Sequence, residues 1–225
     1  MKYQISSVVP WGRNLNEYKK MFSLSEADLD KKIIGFGDGP ASFNCEMTRL
    51  GKQVVSLDPV YQVSKQEIQQ RILESKDEVI DQTRKNMENF TWKNIKSVEE
   101  LESIRMKAME LFVSDFEKGK TEGRYVAHSL PGATPYGPME WDLGLSSHFL
   151  ILYSQLGLDF HIDSIIEMLR VCKEIRIFPL LDLDARPSSV VEDVIECFKR
   201  DYRVKIVEVD YEFQKAGNKM LVIKH

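Results

Sequence analysis

The 225-residue chain is 43% hydrophobic and 29% charged, a globular balance that excludes disorder and supplies length for one sizeable domain rather than two. A formal net charge of -4 and a pI near 5.7 argue against a surface that binds nucleic acid by neutralising phosphates. No apolar run approaches the roughly 20 residues needed to span a bilayer, and residues 1–11 lack the basic-then-apolar pattern of a signal peptide, so a soluble cytoplasmic protein with no membrane partner is expected.

A short helix is expected around residues 15–22, then a buried strand over 31–36 that ends in glycines. A helix over 41–50 follows, closed by Gly51 as its C-terminal cap. Residues 53–57 form a second, β-branched strand ending at Asp58 and Pro59. Strand, glycine turn, helix, strand is the opening of a parallel α/β sheet. Residues 63–119 read as two helices broken near 90–96, with Ile68, Ile72, Val79 and Ile80, then Leu101, Ile104, Met109, Leu111 and Phe112 as apolar stripes and mixed charge outside.

Strands follow over 124–127 and 141–145, then a helix over 160–172, a fifth strand over 175–181 and a helix over 189–200. Strands over 204–209 and 220–223, joined through a polar turn at Gly217 and Asn218, close the chain as a hairpin. Cys45, Cys172 and Cys197 each fall in a predicted helix and read as small buried hydrophobes in a reducing compartment. The order predicts an α/β three-layer sandwich around a seven-stranded, mostly parallel sheet, with one reversed C-terminal strand and a helical insertion after strand 2. Residues 1–225 are read as one domain, with 1–30 as an N-terminal cap and 63–119 as the insertion. In such sheets ligands bind at the carboxyl ends of the strands, near the switch in strand order.

The strongest local signal is Gly35, Gly37 and Gly39 with Asp38 between them, directly after the first strand. Such glycines let the backbone turn sharply and approach a ligand, and the helix that follows offers free N–H groups to it. A dinucleotide fingerprint needs a sixth-place glycine where this chain has Pro40. Asp58, at the tip of the second strand, sits where a carboxylate accepts hydrogen bonds from ribose hydroxyls.

With these residues in place, the chain from about residue 31 onward resembles the class I S-adenosylmethionine-dependent methyltransferases. The resemblance implies that Gly35, Gly37 and Gly39 form the glycine motif, that Asp58 with Pro59 beside it holds the ribose, and that His128, Ser129 and Leu130 line the adenine. The segment from Asp142 through Ser146, Ser147 and His148 to Phe149 falls on the fourth-strand motif, where acceptor and cofactor meet. Val9, Pro10, Trp11, Gly12 and Arg13, followed by Tyr18, resemble a cap over the cofactor. The family's acidic residue two places before the first glycine is replaced by Ile33, which leaves Asp38 or the N-terminal segment to meet the methionine ammonium. Nor does the fourth-strand segment carry the prolines of nucleobase amino-group methyltransferases.

Methyl transfer from a sulfonium needs alignment and, for a protic acceptor, a base. His148 is the candidate base; His128 more naturally lies by the adenine, and His161 and His225 carry no expected role. The dispersed histidines and the Asp182 and Asp184 pair suggest no metal site. The reading is therefore S-adenosylmethionine-dependent methyl transfer to a small molecule or protein segment, with no duplex nucleic acid as partner. Two alternatives stay open: a methyltransferase-like protein that binds the cofactor without turnover, and an NAD-dependent oxidoreductase.

Overall fold

The structure is a computed structural model that describes residues 10–225; residues 1–9 of the expected N-terminal cap, Val9 included, lie outside the described residues. Two short helices come first, α1 (Leu15–Met21) and α2 (Glu26–Leu29). Each opens with a capping box: Asn14 and Glu17, then Ser25 and Asp28, satisfy one another's orphan N–H groups. The α2 helix has too few residues to show a period, so the sequence pattern passes over it. Then come β1 (Ile33–Phe36), α3 (Phe43–Arg49) and β2 (Val54–Leu57). The insertion is α4 (Lys65–Lys85) and α5 (Val98–Thr121). The remainder is β3 (Tyr125–Val126), β4 (Trp141–Ser147), α6 (Leu158–Val171), β5 (Cys172–Phe178), α7 (Val191–Phe198), β6 (Arg203–Glu208) and β7 (Lys219–Lys224).

The seven strands pair in the order β3-β2-β1-β4-β5-β7-β6. β1, β2, β3, β4 and β5 run parallel, and β7 lies antiparallel between β5 and β6. This is the mostly parallel sheet with one reversed C-terminal strand that the element order predicts. Alternation along the strands sends Ile33, Leu143 and Leu145 to the side covered by α1 and α3. Ile34, Phe36, Ile175 and Ile177 go to the side covered by α6 and α7. Each such fully buried side chain contributes about 1.5–3 kcal/mol. α4 and α5 pack on one another and enclose a third cluster with Tyr61, Phe112, Phe116 and Tyr125.

Several boundaries depart from the sequence pattern for identifiable reasons. The fifth strand is Cys172–Phe178 rather than 175–181, because α6 runs straight into it and Pro179, with no N–H, cannot extend the ladder. Cys172 therefore opens a strand, and Cys197 on α7 is exposed rather than buried. β3 shrinks to two residues, and residues 127–140 cross to β4 without a helix. On α5 the buried stripe runs Val98, Leu101, Arg105, Ala108, Met109, Phe112, Phe116. Ile104 and Leu111 lie half-buried beside it, so a charged residue holds a place that the apolar reading gave to a neighbour. Among the described residues no helix is long and apolar enough to cross a membrane.

Candidate functional site

A cavity of about 560 Å³ opens at the carboxyl ends of β1, β2 and β4, where the strand order reverses between β1 and its two neighbours. The glycine loop forms one wall. Gly37 and Gly39 adopt φ of +74° and +55°, in the left-handed region that favours glycine. The three glycines do different work. A Cβ on Gly35 would fall 1.9 Å from Asp38 Oδ2, so this glycine makes room for a side chain of its own loop and does not line the cavity. A Cβ on Gly37 would fall 2.6 Å from the Phe149 ring. Only at Gly39 is the ground open, with Asp58 Oδ2 the nearest atom, 4.0 Å away.

Asp58 draws two backbone donors together: Gly39 N–H donates to its Oδ2 and Val60 N–H to its Oδ1, each at 2.8 Å. Burial raises its pKa against the pull of those two donors. The residue thus ties the glycine loop to the turn after β2, and each oxygen keeps capacity for one more donor. Across the same mouth, His128 and Ser129 line the cavity, and His128 Nε2 is buried without a partner.

Asp38 lies deeper. It is 8% exposed, and accepts from Tyr18 Oη at 2.9 Å and from Ser56 Oγ at 2.6 Å. Burial pushes its carboxyl up to about 7, although both hydroxyl donors pull the other way. The cap meets the loop by backbone as well: Ser42 N–H donates to Arg13 O at 3.0 Å, and a Cβ on Gly12 would fall 2.0 Å from Pro40 O.

A cluster that the sequence reading missed stands beside the cap. Arg105, 1% exposed, holds the Glu17 carboxylate with Nη1 and donates from Nη2 to Tyr211 Oη at 3.3 Å. Tyr211 Oη in turn donates to Glu17 Oε1 at 2.9 Å. Burial pushes Glu17 up, but Arg105 and then Arg13 outweigh it and hold the carboxyl below its usual range. Arg13 donates to Trp11 O at 3.0 Å, while its Nε is buried and unpartnered, as is that of Arg105. Burial and the neighbouring Arg105 lower Arg13 to about 10. A charged residue at a core position of a helical stripe was the signal available in the sequence.

His148 follows β4 with φ of +51°, and its N–H donates to Phe178 O at 2.7 Å. Burial, then Arg13 and Arg105, hold it well below the usual histidine range, so the ring is neutral. The Ser147 hydroxyl donates toward Met21 Sδ at 3.8 Å. Ser147 Oγ lies 2.9 Å from Nδ1, and in the tautomer where Nδ1–H donates to it Nε2 keeps a free lone pair.

Trp11, Tyr18, Gly37, Asp38, Gly39, Asp58, Pro59, His128, Ser129 and His148 all line this one cavity. Ser146 does not: it is fully buried in β4 and Ser147 takes the wall position. His161 instead joins α6 to the segment after β4, its ring nitrogens 2.6 Å from Gly157 O and 2.8 Å from Leu150 O. Asp182 Oδ1 accepts from Asp184 and Arg186 N–H within its own loop. Among the described residues no three His, Cys, Asp or Glu side chains converge as a metal set.

One further wall comes from Leu152, Leu156 and Phe160 after β4, and another from Val79 and Thr83 of α4, Leu101 and Arg105 of α5, and two loops that cross above them. There Thr91 N–H donates to Phe213 O at 2.7 Å, Lys215 N–H donates to Asn89 O at 3.0 Å, and the Phe90 and Phe213 rings stack at 4.8 Å. The α4–α5 connection and the β6–β7 connection therefore form a shared roof.

No family model matches the chain. It is 34% identical over 227 residues, spanning 100% of both chains, to the uncharacterized protein MJ0045 of Methanocaldococcus jannaschii. Similar solved structures include a SAM dependent methyltransferase from Aquifex aeolicus, 13% identical with a TM-score of 0.41, covering 86% of this chain and 80% of that one. Another is a SAM-dependent methyltransferase from Methanosarcina mazei, 11% identical with a TM-score of 0.44, covering 89% and 92% respectively.

Proposed function

Since the chain belongs to the family of the uncharacterized protein MJ0045 over its whole length, we propose its function from the chemistry of its own cavity: S-adenosylmethionine-dependent methyl transfer to a small acceptor. The observation that carries this reading is the open ground over Gly39, flanked by Asp58 with acceptor capacity to spare and by His128 with an unpartnered ring nitrogen. A ribose and a purine ring supply the groups these two lack. Asp38 fits a cationic ammonium and stands in for the acid absent at Ile33, while the free Nε–H of Arg13 fits a carboxylate.

When bound, S-adenosylmethionine would supply a methyl group activated by its sulfonium sulfur. The chain's own part is to hold the reactants in line, exclude water beneath the shared roof and receive a proton. His148, neutral and in the tautomer that leaves Nε2 unprotonated, takes that proton from a protic acceptor atom. Calorimetry tests the reading: S-adenosylmethionine or S-adenosylhomocysteine should bind and NAD should not. NAD binding in the absence of S-adenosylmethionine binding overturns it.

A further inference from the structure

With the cofactor assigned to the glycine-loop side, as proposed above, the rest of the cavity wall has a distinct chemistry. The acids on the lining, Asp38 and Asp58, both belong to the cofactor side. The wall built by α4, α5 and the crossing loops contributes Leu101, Phe90, Phe213 and Tyr211 with two cations, Arg71 and Arg105, and among the described residues no carboxylate.

Arg105 is fully buried, and its two terminal nitrogens are committed to Glu17 and Tyr211. Its Nε–H is buried without a partner in a residue that faces the cavity. A charged donor left unmade in a desolvated site is costly, and an incoming anion relieves that cost with a charge-assisted bond. Glu17 balances the Arg105 charge and the cofactor's carboxylate balances that of Arg13, so the unmet demand on this wall is the Arg105 Nε–H donor rather than a surplus of charge. Arg71 is exposed and adds a second cation on the same side.

We infer that the methyl acceptor is a small molecule with a flat apolar body and one anionic group, carboxylate or phosphate, that is held by Arg105 and attracted by Arg71. The aromatic walls receive the body. A lysine side chain or a polyamine would meet two like charges and no carboxylate on the lining itself, since Glu17 is already held by Arg105 and Tyr211, so cationic acceptors are disfavoured.

Matched probes test this by calorimetry on the full chain. S-adenosylhomocysteine is titrated first, and its failure to bind would count against the functional reading rather than this inference. On protein saturated with S-adenosylhomocysteine, 4-hydroxybenzoate and 4-hydroxyphenylacetate are then compared with their neutral amides. The acids should bind at least about tenfold tighter, the scale of a charge-assisted bond. Acids that bind no tighter than the amides, absence of binding included, overturn the inference. So does an advantage that shows only when 5'-methylthioadenosine, which lacks the amino-acid end, replaces S-adenosylhomocysteine; the anion site would then belong to the cofactor. In R105M combined with E17M, which removes the ion pair as a unit, the acid's advantage should vanish while the melting transition stays cooperative. R71Q, at an exposed position, should cut the advantage about threefold without touching the core. Unchanged acid preference in both variants is again fatal.

Discussion

The Tyr18 hydroxyl donates to Asp38 Oδ1 at 2.9 Å. This bond joins α1 to the glycine loop through a carboxylate whose burial raises it to about 7. The sign of the resulting pH dependence follows. The folded carboxyl titrates above the ordinary aspartate value of 3.8, so its contribution to stability is full below that value and is lost as pH rises through about 7. Cofactor binding should run the other way, because a cationic ammonium prefers the ionised carboxylate. Affinity for S-adenosylmethionine should rise severalfold between about pH 6 and about pH 7.5, with release of up to one proton. Calorimetry in buffers of different ionisation enthalpy reads both quantities. D38N should bind weakly and show no rise; a flat wild-type profile would separate Asp38 from the ammonium.

The Glu17–Arg105 pair is 7% and 1% exposed at its side chains, which makes its halves unequal to the whole. Removing one partner strands a buried charge, so R105M or E17M alone should cost about 3–5 kcal/mol in denaturant unfolding. The double replacement should recover most of that loss, since neither desolvated charge remains. If the double variant is as unstable as the sum of the singles, the two residues do not act as a pair.

These two relationships also mark how far the sequence could be read. Gly37, Gly39 and Asp58 announce a ligand because strand, glycine turn and acid are separated by local rules, and the sheet order follows from the alternation of strands and helices. The Glu17–Arg105–Tyr211 cluster joins residues 17, 105 and 211, a distance in sequence that no local period crosses. Only the intrusion of Arg105 into the apolar stripe of α5 hinted at it. Gly35 looked like part of the ligand loop because spacing cannot say whether a missing Cβ makes room for a ligand or for the chain's own Asp38. The sequence reading took Ser146 of β4 as the cofactor contact, and strand alternation instead turns Ser147 to the cavity.

Gly12 separates the cap's attachment from its chemistry. The Cβ of G12A would lie 2.0 Å from Pro40 O, a backbone atom that cannot swing aside. The segment around Trp11 and Arg13 should therefore lift from the glycine loop. In hydrogen exchange, residues 10–22 of the wild type should gain protection when S-adenosylhomocysteine is added, and in G12A that gain should be largely lost. Equal exchange in the two wild-type states shows that the segment does not close on the cofactor.

Asp58 offers the sharpest division between holding a ligand and holding the loop. Two N–H donors, from Gly39 and Val60, converge on its two oxygens. An asparagine can accept at only one oxygen and would turn its own NH₂ toward the other donor, so D58N should behave much like D58A rather than as a mild substitution. Loss of a charged acceptor to a ribose hydroxyl costs about 1.5–3 kcal/mol, which is on the order of 10–100-fold in affinity. Both variants should therefore bind 5'-methylthioadenosine, which keeps the ribose and lacks the amino-acid end, at least about tenfold more weakly than the wild type. Their melting temperature should fall by only a few degrees, because the two lost bonds lie at the mouth of the cavity and not in the core. Affinity for 5'-methylthioadenosine is the deciding measurement. If it is unchanged while the melting temperature drops, Asp58 serves only to tie Gly39 to the turn after β2, and the ribose must be held by another group.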